Sequence, residues 1–304
     1  MRVLIALGGN ALLRRGEAMT PDNQRNNIRR AAKAIADIIT AGHQVVITHG
    51  NGPQVGLLAL QAAAYNAESS FPLDVLGAET GGMIGYVLQQ ELDNLFGADK
   101  EFATLLTQIE VDAKDPAFLN PTKPIGPIYT KSEADTLSAA RGWTMKPDGD
   151  SWRRVVASPA PKRILELGVI QKLINLDVII ICAGGGGIPV VQLCDESLIG
   201  IEAVIDKDHA SGLLAAQLHC DAYLMLTDVD AVYTGWGTDA ARALRKVTPQ
   251  ELEQMPFAAG SMGPKVAAAI KFAKSTNGFA GIGTLKDAGK ILDGTAGTIV
   301  RCNS

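Results

Sequence analysis

The chain has 304 residues, 47% hydrophobic and 20% charged, with a formal net charge of −4, a globular balance long enough for one large α/β domain or two ordinary ones. The acidic balance argues against nucleic acid or an anionic membrane as the main partner, so an anionic substrate would need a local positive site. Four scattered cysteines without a CxxC pair, four histidines without metal-ligand spacing, and no apolar run of membrane length exclude a disulfide frame, a zinc site and a membrane span, and point to the cytoplasm.

Val3–Leu7 reads as a first buried strand, too short for a leader and closed by Gly8–Gly9. Thr20–Pro21 offers an N-cap followed by proline at the first helical position, predicting a helix to about Ala41 that Gly42 stops. Gln44–Thr48 is a second strand, and His49–Gly50–Asn51–Gly52–Pro53 turns the chain into another helix. Val75–Phe96 is helical despite Gly77, Gly81, Gly82 and Gly85, whose cost predicts close packing against another backbone. Phe102–Thr107 returns as a strand. Residues 110–158 then break the rhythm with prolines at 116, 121, 124, 127 and 147, and predict a small protruding subdomain of short strands and loops inserted in a single domain of residues 1–304. Strand Val178–Cys182, the Gly184–Gly187 turn, helix Ala210–Leu218, strand Ala222–Leu226 and helix Pro264–Lys274 restore it, with final strands near Phe279–Ile282 and Thr298–Arg301. This alternation predicts a three-layer α/β/α sandwich around a mostly parallel central sheet.

Three glycine-rich turns each follow a strand: Gly8–Gly9–Asn10, Gly50–Asn51–Gly52 and Gly184–Gly187. Such turns aim backbone N–H groups into one concavity, and in an open α/β sheet they share one edge. Lys207, in Val204–Asp208, and Lys265, in Gly260–Lys265, each precede a helix-like run, where an ammonium adds to the positive end of the helix. Together they suggest a clamp on a transferring phosphoryl group, catalysed mainly by positioning and charge. Asp206 and Asp208 flank Lys207; they orient it, bind Mg²⁺ carried by nucleotide phosphates, or simply cap the helix. Asp228 and Tyr233 lie in Thr227–Tyr233, which suits a nucleotide base or ribose as well as it suits a plain turn. Lys123 is held between Pro121 and Pro124, and Arg153–Arg154 reads as salt-bridged surface. His49 reads as a turn residue, not a base. No GxxxxGK[ST], kinase HRD or DFG set, or GxSxG is present.

These segments, with Asp115–Phe118, Pro121–Pro127, Arg153–Val156, Gly184–Pro189 and Leu226–Asp230, resemble the carbamate kinase family, a branch of the amino acid kinases, over nearly the whole chain. The resemblance implies the amino acid kinase fold, a homodimer, and reversible phosphoryl transfer between ATP and carbamate with Mg²⁺, running from carbamoyl phosphate and ADP in arginine or allantoin breakdown. It implies that Lys207 and Lys265 bridge the phosphates and that Lys123 reaches over carbamoyl phosphate. Gly8, Gly9, Asn10, Gly50, Asn51 and Gly52 would hold the carbamate and phosphoryl group. Gly184, Gly185, Asp206, Asp228, Tyr233 and Met262 would lie at the nucleotide, with Asp208 toward Mg²⁺. His209, Ala157 and Gly235–Asp239 depart from the family pattern, which bears on nucleotide affinity and loop shape. Two other readings stay open: an enzyme of this fold acting on another small carboxylate or carbamate, and a non-catalytic nucleotide- or anion-binding relative.

Overall fold

The computed structural model describes residues 1–13, 16–66, 70–258 and 262–302, with Asn10 and Ala11 described by their backbone alone. The run Val3–Leu7 explains the architecture, because a strand without polar residues can sit only where both faces are covered. Strand Arg2–Leu7 pairs in parallel with Gln44–His49 on one side and Ala222–Thr227 on the other. Val3, Ile5 and Leu7 enter one core with helices Pro21–Thr40 and Leu73–Phe96. Leu4 and Ala6 enter a second core with helices Lys207–Gln217 and Met262–Ser275. The alternation of a single strand thus builds the three layers expected.

Among the described residues the central sheet has eight strands. Their order is Lys246–Val247, Thr298–Val300, Phe279–Thr284, Ala222–Thr227, Arg2–Leu7, Gln44–His49, Ile179–Ile181 and Phe102–Thr104. Phe279–Thr284 and Thr298–Val300 pair antiparallel; the other described neighbours are parallel. Thr20 caps the first long helix by accepting the Asn23 N–H, as its sequence predicts.

Three expectations change. The strand from Phe102 stops at Thr104, and the chain passes into a second sheet, Thr107 accepting the Ile188 N–H on its carbonyl at 2.8 Å and the Ala183 N–H on its hydroxyl at 3.0 Å. Of the glycines in Leu73–Phe96, Gly81 does meet another backbone, its Cα 3.1 Å from where a Gly184 Cβ would stand, but Gly85 packs on a side chain, where a Cβ would stand 2.4 Å from Thr104 Cγ2, and Gly77 faces open space. The third change falls within residues 110–158, which hold more than short strands and loops. Lys131–Arg141 is an 11-residue helix, started by a reciprocal Thr130–Glu133 capping box and stopped by Gly142 at φ 65°. It accompanies an antiparallel three-stranded sheet of Lys123–Tyr129, Ser151–Val156 and Met145–Asp148. Glu110 belongs to another sheet, in which Gln108–Glu110 pairs with Ile188–Gln192 and Arg163–Ile164. Ile125 anchors the three-stranded sheet to the body by packing with Val55, Ala59, Leu73 and Leu76.

Candidate active site

Strands Ala222–Thr227, Arg2–Leu7, Gln44–His49 and Ile179–Ile181 are adjacent and parallel, so the turns that follow them open on one edge. Gly8 N–H donates to the Leu226 carbonyl at 2.9 Å, and Gly50 N–H to the Leu7 carbonyl at 3.1 Å. A Cβ on Gly50 would lie 3.6 Å from Gly9 N and 3.8 Å from Lys207 Cδ, so both turns share a corner with Lys207. Gly9 and Gly52 have open space in front of their Cα atoms. The side chain of Asn10, and Gly260 and Ser261 of the second lysine segment, lie outside the described residues.

Lys207 and Lys265 come from different helices and meet at Asp208. Lys207 Nζ stands 2.8 Å from Asp208 Oδ1, and Lys265 Nζ stands 3.1 Å from Oδ2. The Lys265 contact is a hydrogen bond. The Lys207 contact is a charge contact off the hydrogen-bond angle, leaving Lys207 Nζ and Asp208 Oδ1 buried without an aligned partner. Burial alone would raise the Asp208 pKa, but the two ammonium charges outweigh it and hold the carboxyl well below its usual range. Burial also lowers the Lys207 pKa, opposed by Asp208. Tyr223 Oη donates to the Asp208 carbonyl at 2.8 Å and fixes the first turn of the helix. Two cations on one carboxylate leave an excess positive charge beside glycine N–H groups and a helix N-terminus. That is the electrostatics of a phosphoryl site.

Asp206 is the N-cap of this helix, its Oδ1 accepting the Asp208 and His209 N–H groups at 2.9 and 3.3 Å. Its other oxygen receives Lys123 Nζ at 2.5 Å, joining the three-stranded sheet to the clamp helix. Burial raises the Asp206 pKa, but the Lys123 charge and hydrogen bond, with the His209 charge, together bring it below its usual value. Asp208 does not fit a metal ligand in this arrangement, since both oxygens face ammonium groups. Among the described residues no cluster of three histidine, cysteine or acidic side chains could hold a metal ion.

The four-glycine turn sits against the His49–Gly52 turn. A Cβ on Gly184 would come 2.7 Å from the His49 imidazole, and one on Gly185 would come 2.2 Å from the Asn51 side chain. Gly184 and Gly185, expected at the nucleotide, therefore abut His49 and Asn51. The Asn51 amide donates to Thr80 Oγ1 at 2.8 Å, so its side chain locks the turn onto the long helix while its backbone stays with Gly50 and Gly52. His49 is buried and its Nδ1 lies 3.1 Å from the Gly50 carbonyl. Burial, with the Lys207 charge and against the Gly50 carbonyl, pulls its pKa down from 6.5 to about 4, so the imidazole is neutral at pH 7.

Of the residues expected at the nucleotide, Asp228 follows strand Ala222–Thr227 and accepts the Thr227 hydroxyl at 3.0 Å. Tyr233 donates to Asp230 at 2.7 Å and meets the Trp236 ring edge-on, in a hairpin between Val232–Thr234 and Arg242–Leu244. Met262 opens the helix that carries Lys265 one turn later. Sequence reasoning missed Thr80 and Glu202. Glu202 accepts the Leu73 N–H at 2.8 Å and pairs with Arg154 at 3.5 Å, while the Arg154 guanidinium lies 4.1 Å from the Trp143 ring centre. Both residues act across long sequence separations, which local spacing does not reveal.

A parallel sheet whose carboxyl edge gathers glycine turns around a buried Lys207 and a half-buried Lys265 that share one carboxylate is that of an α/β phosphotransferase. Residues 1–279 match the model of the amino acid kinase family. A carbamate kinase of Rhizobium meliloti (strain 1021) is 55% identical over 302 residues, 99% of this chain and 93% of that protein. A carbamate kinase from Giardia lamblia bound to citric acid superposes with a TM-score of 0.93 at 44% identity, covering 99% of this chain and 98% of that one. A carbamate kinase from Giardia lamblia bound to AMP-PNP gives 0.89 at 43% identity, with the same coverage. The chain belongs to the amino acid kinase family and, within it, to the carbamate kinases.

Proposed function

We propose that the chain catalyses reversible phosphoryl transfer between carbamoyl phosphate and ADP, giving carbamate and ATP, as a cytoplasmic homodimer. The observation that carries this reading is the convergence of Lys207 and Lys265 on the buried Asp208 carboxylate beside the Gly8–Gly9 and Gly50–Gly52 turns. The relative bound to AMP-PNP supports the nucleotide partner. Lys207 and Lys265 stabilise the charge on the transferring group, with Asp208 holding them at the right separation. The glycine N–H groups receive the carbamate and phosphoryl oxygens. Gly184 and Gly185 shape the turn that holds them, and Asp228, Tyr233 and Met262 border the nucleotide. Residues 110–158 act as a subdomain of the single domain, and Lys123 leaves Asp206 to reach the carbamoyl phosphate.

In the transfer, the P–O bond to the carbamate oxygen breaks with its electron pair staying on carbamate, and a β-phosphate oxygen of ADP forms the new bond. That oxygen is already ionised, so no base is needed and the neutral His49 is free for a structural duty. Mg²⁺ bound to the nucleotide phosphates would neutralise part of their charge, and Asp208, with an ammonium group at each oxygen, would act through Lys207 and Lys265. The test is ATP formation from ADP, Mg²⁺ and carbamoyl phosphate by purified protein, beside Lys207→Ala. Rapid synthesis lost in the variant supports the reading; no synthesis by a folded, ADP-binding protein overturns it in favour of another small acceptor.

A further inference from the structure

Lys123 has to be aimed by something, and the strand that carries it has an unusual path. Lys123–Tyr129 pairs regularly with Ser151–Val156 as far as Ile125, opposite Arg154, and resumes at Tyr129, opposite Trp152. Three residues on one strand, 126–128, therefore stand against Arg153 alone on the other, a bulge that bends the strand. Gly126 lies at the bend with φ +72°, a backbone conformation that side-chain-bearing residues rarely adopt. Its carbonyl accepts Arg153 Nη2 at 2.8 Å.

The bend rests on helix Gly52–Tyr65. A Cβ on Gly56 of that helix would stand 1.9 Å from Gly126 Cα and 2.1 Å from Gly126 N, distances no relaxation of a side chain can relieve. Lys123 and Ile125 share one face of the strand by alternation, and Ile125 packs with Val55 and Ala59 on either side of Gly56. The helix that starts at the substrate turn thus meets the Lys123 strand backbone to backbone, three residues from the lysine.

We propose that Gly56 and Gly126 are positioning residues that set the reach of Lys123 into the site, an inference that rests on the role given to Lys123 above. Alanine at Gly56 suits the helix itself, so the strain falls on the strand, which must lift and carry Lys123 away from Asp206 and the substrate.

The experiment is a double-mutant cycle of Gly56→Ala and Lys123→Ala, with kinetics for carbamoyl phosphate and ADP separately. A displacement of an ångström or more should raise KM for carbamoyl phosphate or lower kcat by about ten-fold or more, leave ADP affinity within about two-fold, and add nothing once Lys123 is alanine. An unimpaired Gly56→Ala, an equal loss of ADP affinity, or a full loss persisting in the double variant would overturn the inference. If Gly56→Ala does not fold, Arg153→Ala, which releases the Gly126 carbonyl, goes through the same cycle with the same criteria. A second readout needs no activity: acetic anhydride labelling of Lys123, followed by peptide mass, should rise in Gly56→Ala. Unchanged labelling overturns the positioning role whether or not the protein makes ATP, whereas a wild type that makes no ATP overturns the proposed reaction.

Discussion

The sheet-edge lysines and Lys123 are held in opposite ways. Lys207 and Lys265 stand on helices packed into the main core and converge on a carboxylate whose side chain is 5% exposed. Lys123 stands on a bent strand of a small antiparallel sheet, is 29% exposed, and rests on one oxygen of a helix cap. In the proposed roles, the two lysines that would receive the phosphate are fixed by a buried partner that water cannot replace. Lys123, proposed to reach the acceptor, is held by a pair that a substrate could displace.

That contrast can be broken most easily at Asp208. Asp208→Ala leaves two ammonium groups facing each other in a dry corner, and urea denaturation should register a loss of about 3–5 kcal/mol. A loss below 1 kcal/mol would mean that the corner is wetter or looser than described. Lys265→Ala should leave the far-ultraviolet circular dichroism unchanged and cut turnover by about 10²–10³-fold, as loss of a preorganised charge does. Near-wild-type turnover would remove it from the clamp.

The rigid half should also be sensitive to acid. His49 has a folded pKa below its unfolded one, so its contribution is complete above pH 6.5 and is lost as pH falls toward about 4. Over that window it should amount to roughly 3 kcal/mol, seen as a falling urea midpoint that His49→Asn flattens. Equal slopes in both proteins would show that another group titrates there.

Smaller effects belong to the protruding sheet. Lys123→Ala should weaken use of carbamoyl phosphate by about ten-fold while ADP binding holds, as befits one charge-assisted contact; equal losses would count against its aim at the acceptor. In stability, a cycle on Lys123 and Asp206 should give a coupling of at most about 1 kcal/mol, because a partly exposed pair gains little over water. A larger coupling would make the latch as firm as the clamp and erase the distinction.

How much of this was legible follows from how local each cause is. Val3–Leu7, Thr20–Pro21 and the strand-glycine turns declare themselves within a few residues, and the parallel sheet and its binding edge follow from them. The Lys131–Arg141 helix is equally local, since Thr130 and Glu133 have capping-box spacing, but the surrounding prolines mask it. The partnership of Lys265 with Asp208 spans 57 residues and that of Lys123 with Asp206 spans 83, so the sequence suggested the cations and not what holds them. For the same reason the sequence leaves Asp208 open between orienting Lys207, binding Mg²⁺ and capping the helix: its burial between two lysines exists only in three dimensions. Gly77 misled in the other direction, because a helix can carry a glycine that nothing approaches.

The division of Val3–Leu7 between two cores has a bearing on how such an enzyme can change. Every position in that strand answers to one packed side or the other, so its permitted alphabet is aliphatic throughout. Heritable novelty has no foothold there. Selection for a different acceptor must write in the segments beyond Leu7, His49 and Thr227 and on the antiparallel sheet, leaving the scaffold's interior as an inheritance passed on nearly unedited.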